Sequence, residues 1–254
     1  MIMQLALTSL AAIAVSSLTL AGCDRVAGSS GTRVTSQATD TGEQAPLSVG
    51  VGHATQIEAP ANGVESYGKL LVLGDSYSVA PPFRAAFEQQ FPNLDITYDS
   101  RGGSSLAQQY ERLQQNPETK GWPLLILDGG LTDFDPQDQI AKIVDFQNAH
   151  CNLWFYVEPV RRAYPNKRVQ QRRMRVIDRL TTHFETEYPG HLIQWNEEVA
   201  AQADGTQNDK FAIQDGLMPD SLRKDMVHLN ERGYGLLAGI IAREIKSSQL
   251  DEGC

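Results

Sequence analysis

From Lys69 onward, short apolar runs alternate with stretches whose apolar residues recur every three or four positions. Leu70-Leu71-Val72-Leu73, closed by Gly74, has the length and uniformity of a strand buried on both faces. Pro81-Pro82 opens a stretch in which Phe83, Ala86 and Phe87 share one helical face. Asp95 to Tyr98 reads as a strand, Leu106 to Leu113 as a helix, and Leu124 to Leu127 as a second clean apolar run. Asp135 to Ala149 is helical, Leu153 to Val157 is a strand stopped before Pro159, and Val169 to Tyr188 is a long basic helix. Leu192 to Trp195 is a fifth strand, and Glu231 to Ile245 is the closing helix. Strands alternating with helices predict an α/β fold: a flavodoxin-like, doubly wound, five-stranded parallel sheet. Ligands of such sheets bind at the carboxyl ends of the strands. Those ends are Gly74, Ser100 to Gly103, Asp128 to Asp133, and the loop before the last helix.

The first residues follow a different pattern. Leu5 to Leu20 is apolar or small and uncharged, and runs into Leu20-Ala21-Gly22-Cys23. An apolar segment ending in small residues marks an export signal rather than a fold element. Leu20-Ala21-Gly22-Cys23 resembles a bacterial lipobox, in which the cysteine is acylated and becomes the first mature residue. The chain departs from that pattern in Met1-Ile2-Met3-Gln4, which holds no Lys or Arg. A plain secretory signal and an uncleaved anchor helix are the alternatives. Asp24 resembles an inner-membrane retention signal; inner and outer membrane both stay open. Residues 1–22 are thus expected to be the signal peptide and 23–66 a lipidated, flexible tether. The tether is rich in Ser, Thr, Gly, Ala and Gln. Residues 67–254 are expected to be the catalytic domain, held at the membrane by N-terminal lipid and facing the periplasm.

With Cys23 lipidated, Cys151 and Cys254 remain of the three cysteines. In an oxidising compartment they are expected to pair. The loop of roughly 100 residues so closed is worth up to about 4–5 kcal/mol on the chain-entropy view. The alternative is a buried, reduced Cys151. A formal net charge of −9 argues against nucleic acid as a partner. The basic stretch of Arg161, Arg162, Lys167, Arg168, Arg172, Arg173, Arg175 and Arg179 is read mainly as a solvated face balancing nearby acids, and otherwise as a face toward anionic lipid or polymer. The five histidines are scattered without ligand spacing, so no metal site is expected. The protein is expected to act as a monomer.

The strand ends carry the candidate chemistry. Ser76, in Gly74-Asp75-Ser76-Tyr77-Ser78, sits on a strand-to-loop turn. A free serine needs a base, and the base needs an orienting group. His228 alone among the histidines has a carboxylate, Asp225, three residues before it and lies just ahead of a helix. These blocks resemble those of the SGNH/GDSL hydrolases: Gly74 to Ser78 resembles their first, and Asp225-x-x-His228 with Leu229-Asn230 and Gly233-Tyr234 their last. The resemblance spans about residues 69–245. It implies a serine esterase or lipase with Ser76, Asp225 and His228 as triad and no cofactor. An α/β-hydrolase elbow fits less well, because Ser78 stands where that turn needs glycine. The resemblance further implies an oxyanion hole built from the amides of Ser76 and Gly103, with Gly102 as the alternate register, and a side chain after the third strand. There Gly130-Leu131-Thr132-Asp133 departs from the family's Gly-x-Asn-Asp, which places Thr132 in the asparagine's role. The expected substrate is an acyl ester, either an O-acetylated glycan or a lipid. Acyl transfer by the same triad, or a catalytically weak binding or assembly protein, are the alternatives.

Overall fold

A computed structural model of the chain describes residues 63–127, 136–248 and 250. The chain divides into two units, residues 1–55 and 56–254, and every described residue belongs to the second. The expectations for the signal peptide, Cys23, Asp24, residues 23–62 of the tether, Gly130, Thr132 and Cys254 lie outside the described residues.

Five strands form one sheet: β1 (Lys69–Gly74), β2 (Asp95–Ser100), β3 (Leu124–Leu127), β4 (Trp154–Val157) and β5 (Leu192–Ile193). Their order is β2-β1-β3-β4-β5, and every pairing is parallel. The described helices are α1 (Ser76–Val79), α2 (Pro81–Gln90), α3 (Leu106–Gln115), α4 (Gln137–Asn148), α5 (Lys167–Glu187), α6 (Asn196–Ala200), α7 (Gln207–Gln214) and α8 (Glu231–Ser247). The alternation of side chains along each strand separates two cores. Leu70, Val72, Leu125, Leu127, Phe155 and Val157 pack with Phe83 and Phe87 of α2 and with Leu237, Ile241 and Ile245 of α8. The intervening Leu71, Leu73, Leu124, Ile126, Trp154 and Tyr156 pack with α3, α4 and α5. The uninterrupted apolar runs therefore meet helices on both faces, and the sheet is doubly wound as expected. The strand order reverses between β1 and β3, which opens a crevice at their carboxyl ends.

Four local features differ from the expectation. The tether boundary at residue 66 falls inside a 3-10 helix, Gly63–Tyr67, whose Val64 is buried in the core. Two hydrophobic residues, Val64 and Tyr67, in a five-residue turn leave no sustained periodicity to read. The fifth strand pairs only over Leu192–Ile193. Trp195 leaves the ladder to cap α6, and its indole N–H donates to the Glu158 carbonyl at 2.6 Å. The short helices α6 and α7 were not anticipated, although Thr206 and Asp209 form a capping box at the start of α7. Finally, α5 begins at Lys167, because the Asn166 side chain accepts from the amides of Arg168 and Val169.

Cys151 is fully buried and disulfide-bonded, with its partner outside the described residues. The basic stretch is partly consumed within the fold. Arg161 pairs with Glu158 at 3.4 Å and Asp178 at 3.1 Å, and Arg173 is buried.

Candidate active site

The turn after β1 is built to present Ser76. A β-carbon on Gly74 would lie 2.3 Å from Ser78 Oγ and 2.5 Å from the Leu127 carbonyl oxygen, so only glycine fits against β3. Asp75 is buried and its carboxylate accepts from the Tyr77 amide at 2.9 Å, capping α1. Ser78, the residue that spoiled the α/β-hydrolase comparison, is buried and donates to the Asp75 carbonyl at 3.0 Å. Ser104 donates to the Gly74 carbonyl at 3.2 Å and so ties the end of β2 to the end of β1.

The other half of the site is the turn before α8. Arg223 and Leu229 form an antiparallel bridge across its neck, and the Lys224 amide donates to the His228 carbonyl at 2.9 Å. Asn230 caps α8 by accepting from the Gly233 amide at 2.9 Å, and its side-chain amide donates to the Ser221 carbonyl at 2.8 Å. A β-carbon on Gly233 would come within 2.5 Å of the Leu222 carbonyl oxygen, so this residue too must be glycine.

Within the turn, Asp225 Oδ1 accepts from the amides of Val227 and His228, both at 2.7 Å. Asp225 Oδ2 lies 3.0 Å from His228 Nδ1, and His228 Nε2 lies 3.3 Å from Ser76 Oγ. Partial burial pushes the Asp225 carboxyl upward. The hydrogen bonds from the His228 amide and ring and from the Val227 amide outweigh it and hold the group at about 2. An ionised carboxylate only accepts, so Nδ1 carries the proton and Nε2 turns its lone pair to the serine. The contact to Ser76 is at the long end of hydrogen bonding, as is common before substrate tightens a site. The three residues predicted as the triad, 152 positions apart at the extremes, are thus brought together.

The turn after β2 lies beside Ser76. The nearest neighbour to a β-carbon on Gly102 would be the Ser76 β-carbon at 4.0 Å, whereas nothing lies within 4 Å of one on Gly103. Gly103 has φ +73°, the left-handed conformation the turn requires. Neither glycine amide donates to a protein acceptor among the described residues. A side chain on Gly102 would thus point toward Ser76, and Gly103 takes the left-handed conformation in the same turn. A cavity of about 380 Å³ opens here, lined by Arg101, Gly102, Gly103, Gln108, Glu111 and Arg112. A more apolar cavity of about 370 Å³ is lined by Arg161, Asn196, Ile213, Leu217 and Met218 among others, and the lining of neither cavity includes Ser76, Asp225 or His228. Among the described residues no cluster of His, Cys, Asp and Glu could hold a metal ion.

Sequence reasoning passed over Tyr77. Its ring is fully buried beside His228, with centroids 6.2 Å apart, and its hydroxyl donates to the Val227 carbonyl. Its place directly after the nucleophile was the one available signal.

No protein-family model and no curated protein matches the sequence. Solved structures do. A putative lipolytic protein of the G-D-S-L family from Desulfitobacterium hafniense matches over 70% of this chain and 99% of its own, with 14% identity and a TM-score of 0.52. A lipase/acylhydrolase from Enterococcus faecalis matches over 73% and 98%, with 15% identity and a TM-score of 0.54. The C-terminal catalytic domain of a Streptococcus pneumoniae peptidoglycan O-acetyltransferase, solved with a methylsulfonyl adduct, matches over 72% and 94%, with 18% identity and a TM-score of 0.51. At these identities the likeness speaks to architecture, and it agrees with the sheet order. The chain has the fold of the SGNH/GDSL hydrolases.

Proposed function

We propose that the protein is a serine ester hydrolase of the bacterial cell envelope. The observation that carries this reading is the continuous chain from Ser76 Oγ through the His228 ring to the Asp225 carboxylate, at 3.3 and 3.0 Å. Ser76 Oγ attacks the ester carbonyl while His228 Nε2 takes its proton. Asp225 holds the ring and stabilises the imidazolium. Collapse of the tetrahedral intermediate expels the alcohol, which receives the proton from Nε2. Water, activated by His228 in turn, releases the acid and restores Ser76. The amides of Ser76 and of the Gly102-Gly103 turn hold the oxyanion, with Thr132 as the third donor. One such donor is commonly worth about 10²–10³ in rate.

For the substrate class we favour an O-acetylated glycan over a lipid, because the cavity at the turn after β2 is lined by Arg101, Gln108 and Glu111, polar groups suited to a hydroxyl-rich alcohol. Acyl transfer is the second reading, because the Streptococcus pneumoniae domain on the same fold is by name an O-acetyltransferase. An acceptor sugar would then replace water. The test is turnover of p-nitrophenyl esters of increasing chain length, together with acetate release from an acetylated glycan. The expected result is activity that falls steeply beyond short acyl chains. A preference for long chains would contradict the glycan reading. An absence of turnover with any ester would favour a binding or assembly role.

Location is proposed from Leu20-Ala21-Gly22-Cys23. The mature protein is expected to start at Cys23 and to carry lipid mass, partitioning into detergent, and Cys23→Ser should abolish both. An N-terminus at another residue, or a mature protein without lipid mass, would overturn the anchor.

A further inference from the structure

The Ser76–His228 contact joins two segments 152 positions apart in the chain. Ser76 belongs to α1, packed on the sheet. His228 belongs to a turn whose residues Lys224, Asp225 and Met226 are exposed and whose own hydrogen bonds are mostly local. The geometry of general-base catalysis is unforgiving: a misplacement of about 1 Å can cost about 10² in rate. Some feature must fix that turn relative to the nucleophile before substrate arrives.

We propose that Tyr77 is a positioning residue for the catalytic base, tying the peptide that precedes His228 to the nucleophile's own helix. The inference rests on the ester-hydrolase reading above. The peptide in question joins Val227 to His228. Its carbonyl accepts from the Tyr77 hydroxyl, and its N–H donates to Asp225 Oδ1 at 2.7 Å. A peptide unit is planar, so gripping both polar ends fixes its orientation. The next atom along the chain is the α-carbon of His228, from which the imidazole projects. Tyr77 is itself held at both ends. Its amide donates to the buried Asp75 carboxylate at 2.9 Å, and its ring stands edge-on to Tyr234 of α8 at a centroid distance of 5.6 Å. Asp75 thus grips Tyr77, Tyr77 grips the Val227 carbonyl, and Asp225 grips the His228 amide. Burial above all, with Tyr234 and Asp75 nearby, raises the Tyr77 phenol well above its ordinary range, so the hydroxyl remains a donor at any working pH. Asp225 orients the ring about its own axis, whereas Tyr77 sets where the ring stands.

A plain core role for Tyr77 is the competing account, and Tyr77→Phe separates the two. Phenylalanine keeps the ring and its packing and removes only the tie. If the tie matters, kcat for p-nitrophenyl acetate falls about 10- to 100-fold, and KM stays within about two-fold because the base acts after binding. The His228 Nδ1–H resonance of nitrogen-labelled protein should broaden or shift as the ring samples other orientations. A core filler would leave both unchanged, and that result would overturn the proposal. Should the variant fold poorly, the wild type still supplies a test. The Tyr77 hydroxyl proton is expected to exchange slowly with solvent, and free exchange would overturn the tie. Absence of ester turnover in the wild type would count against the hydrolase reading alone, since both NMR observations need no substrate.

Discussion

Ser76→Ala is expected to lower kcat for ester hydrolysis by about 10⁴- to 10⁶-fold while leaving the fold intact. Ser76 Oγ faces His228 Nε2, and among the described residues no other side chain offers a nucleophile to that nitrogen. Removing the oxygen therefore removes the covalent step. The amides of residue 76 and of the Gly102-Gly103 turn survive the change, so some residual rate above that in water should remain. KM should change little, because the hydroxyl acts after binding. The turn should also survive, since Gly74, Asp75 and Ser78 shape it rather than the Ser76 side chain. Steady-state kinetics beside a thermal melt checks both halves. Activity within about ten-fold of wild type at an unchanged melting temperature would place the nucleophile elsewhere.

Asp225→Asn should produce the second largest loss, about 10⁴-fold in kcat. The reason lies in which atoms the carboxylate serves. Oδ1 accepts two backbone amides at 2.7 Å, and Oδ2 faces His228 Nδ1 at 3.0 Å. An asparagine in this place turns its single oxygen to the two amides and its NH₂ group to Nδ1. That arrangement favours the tautomer with the proton on Nε2, aimed at Ser76, so the lone pair that should take the serine proton is gone. The effect on stability has a definite sign. Because the carboxyl is held at about 2 in the folded protein, below its ordinary value of 3.8, its charge contributes stability above about pH 4. That contribution is lost as pH falls from about 4 toward 2. The side chain is 47% exposed, so solvent screens much of it and the contribution is small. The variant should therefore melt near the wild type at neutral pH while its kcat collapses. Equal losses in stability and activity would mean that Asp225 is chiefly a structural cap.

The legible part of this fold was the part governed by uniform burial. Leu124 to Leu127 was bounded correctly from the sequence because all four positions are buried, on alternating faces, by helices. The meeting of Ser76, His228 and Asp225 was legible for a related reason. A parallel sheet sends the ends of its strands to one edge, and few chemistry-bearing residues stand there. What escaped was set by tertiary contact. Trp195 looked like a strand residue, yet its indole finds the Glu158 carbonyl and turns the chain into α6. Tyr77 read as one member of a serine motif, although its partner, Val227, lies 150 positions away. Val64 shows the same limit at the domain boundary, where one buried side chain outweighs a polar composition.

The central claim is that Ser76 is a nucleophile activated by His228, and covalent trapping tests it most directly. The protein is treated with a phosphonate or sulfonyl fluoride that reacts with activated serines, then digested and mapped by mass spectrometry. The account predicts one adduct per chain, on the peptide carrying Ser76. It also predicts no adduct in Ser76→Ala and much slower labelling in His228→Ala. Failure of the wild type to label, or an adduct on a different residue, would contradict it.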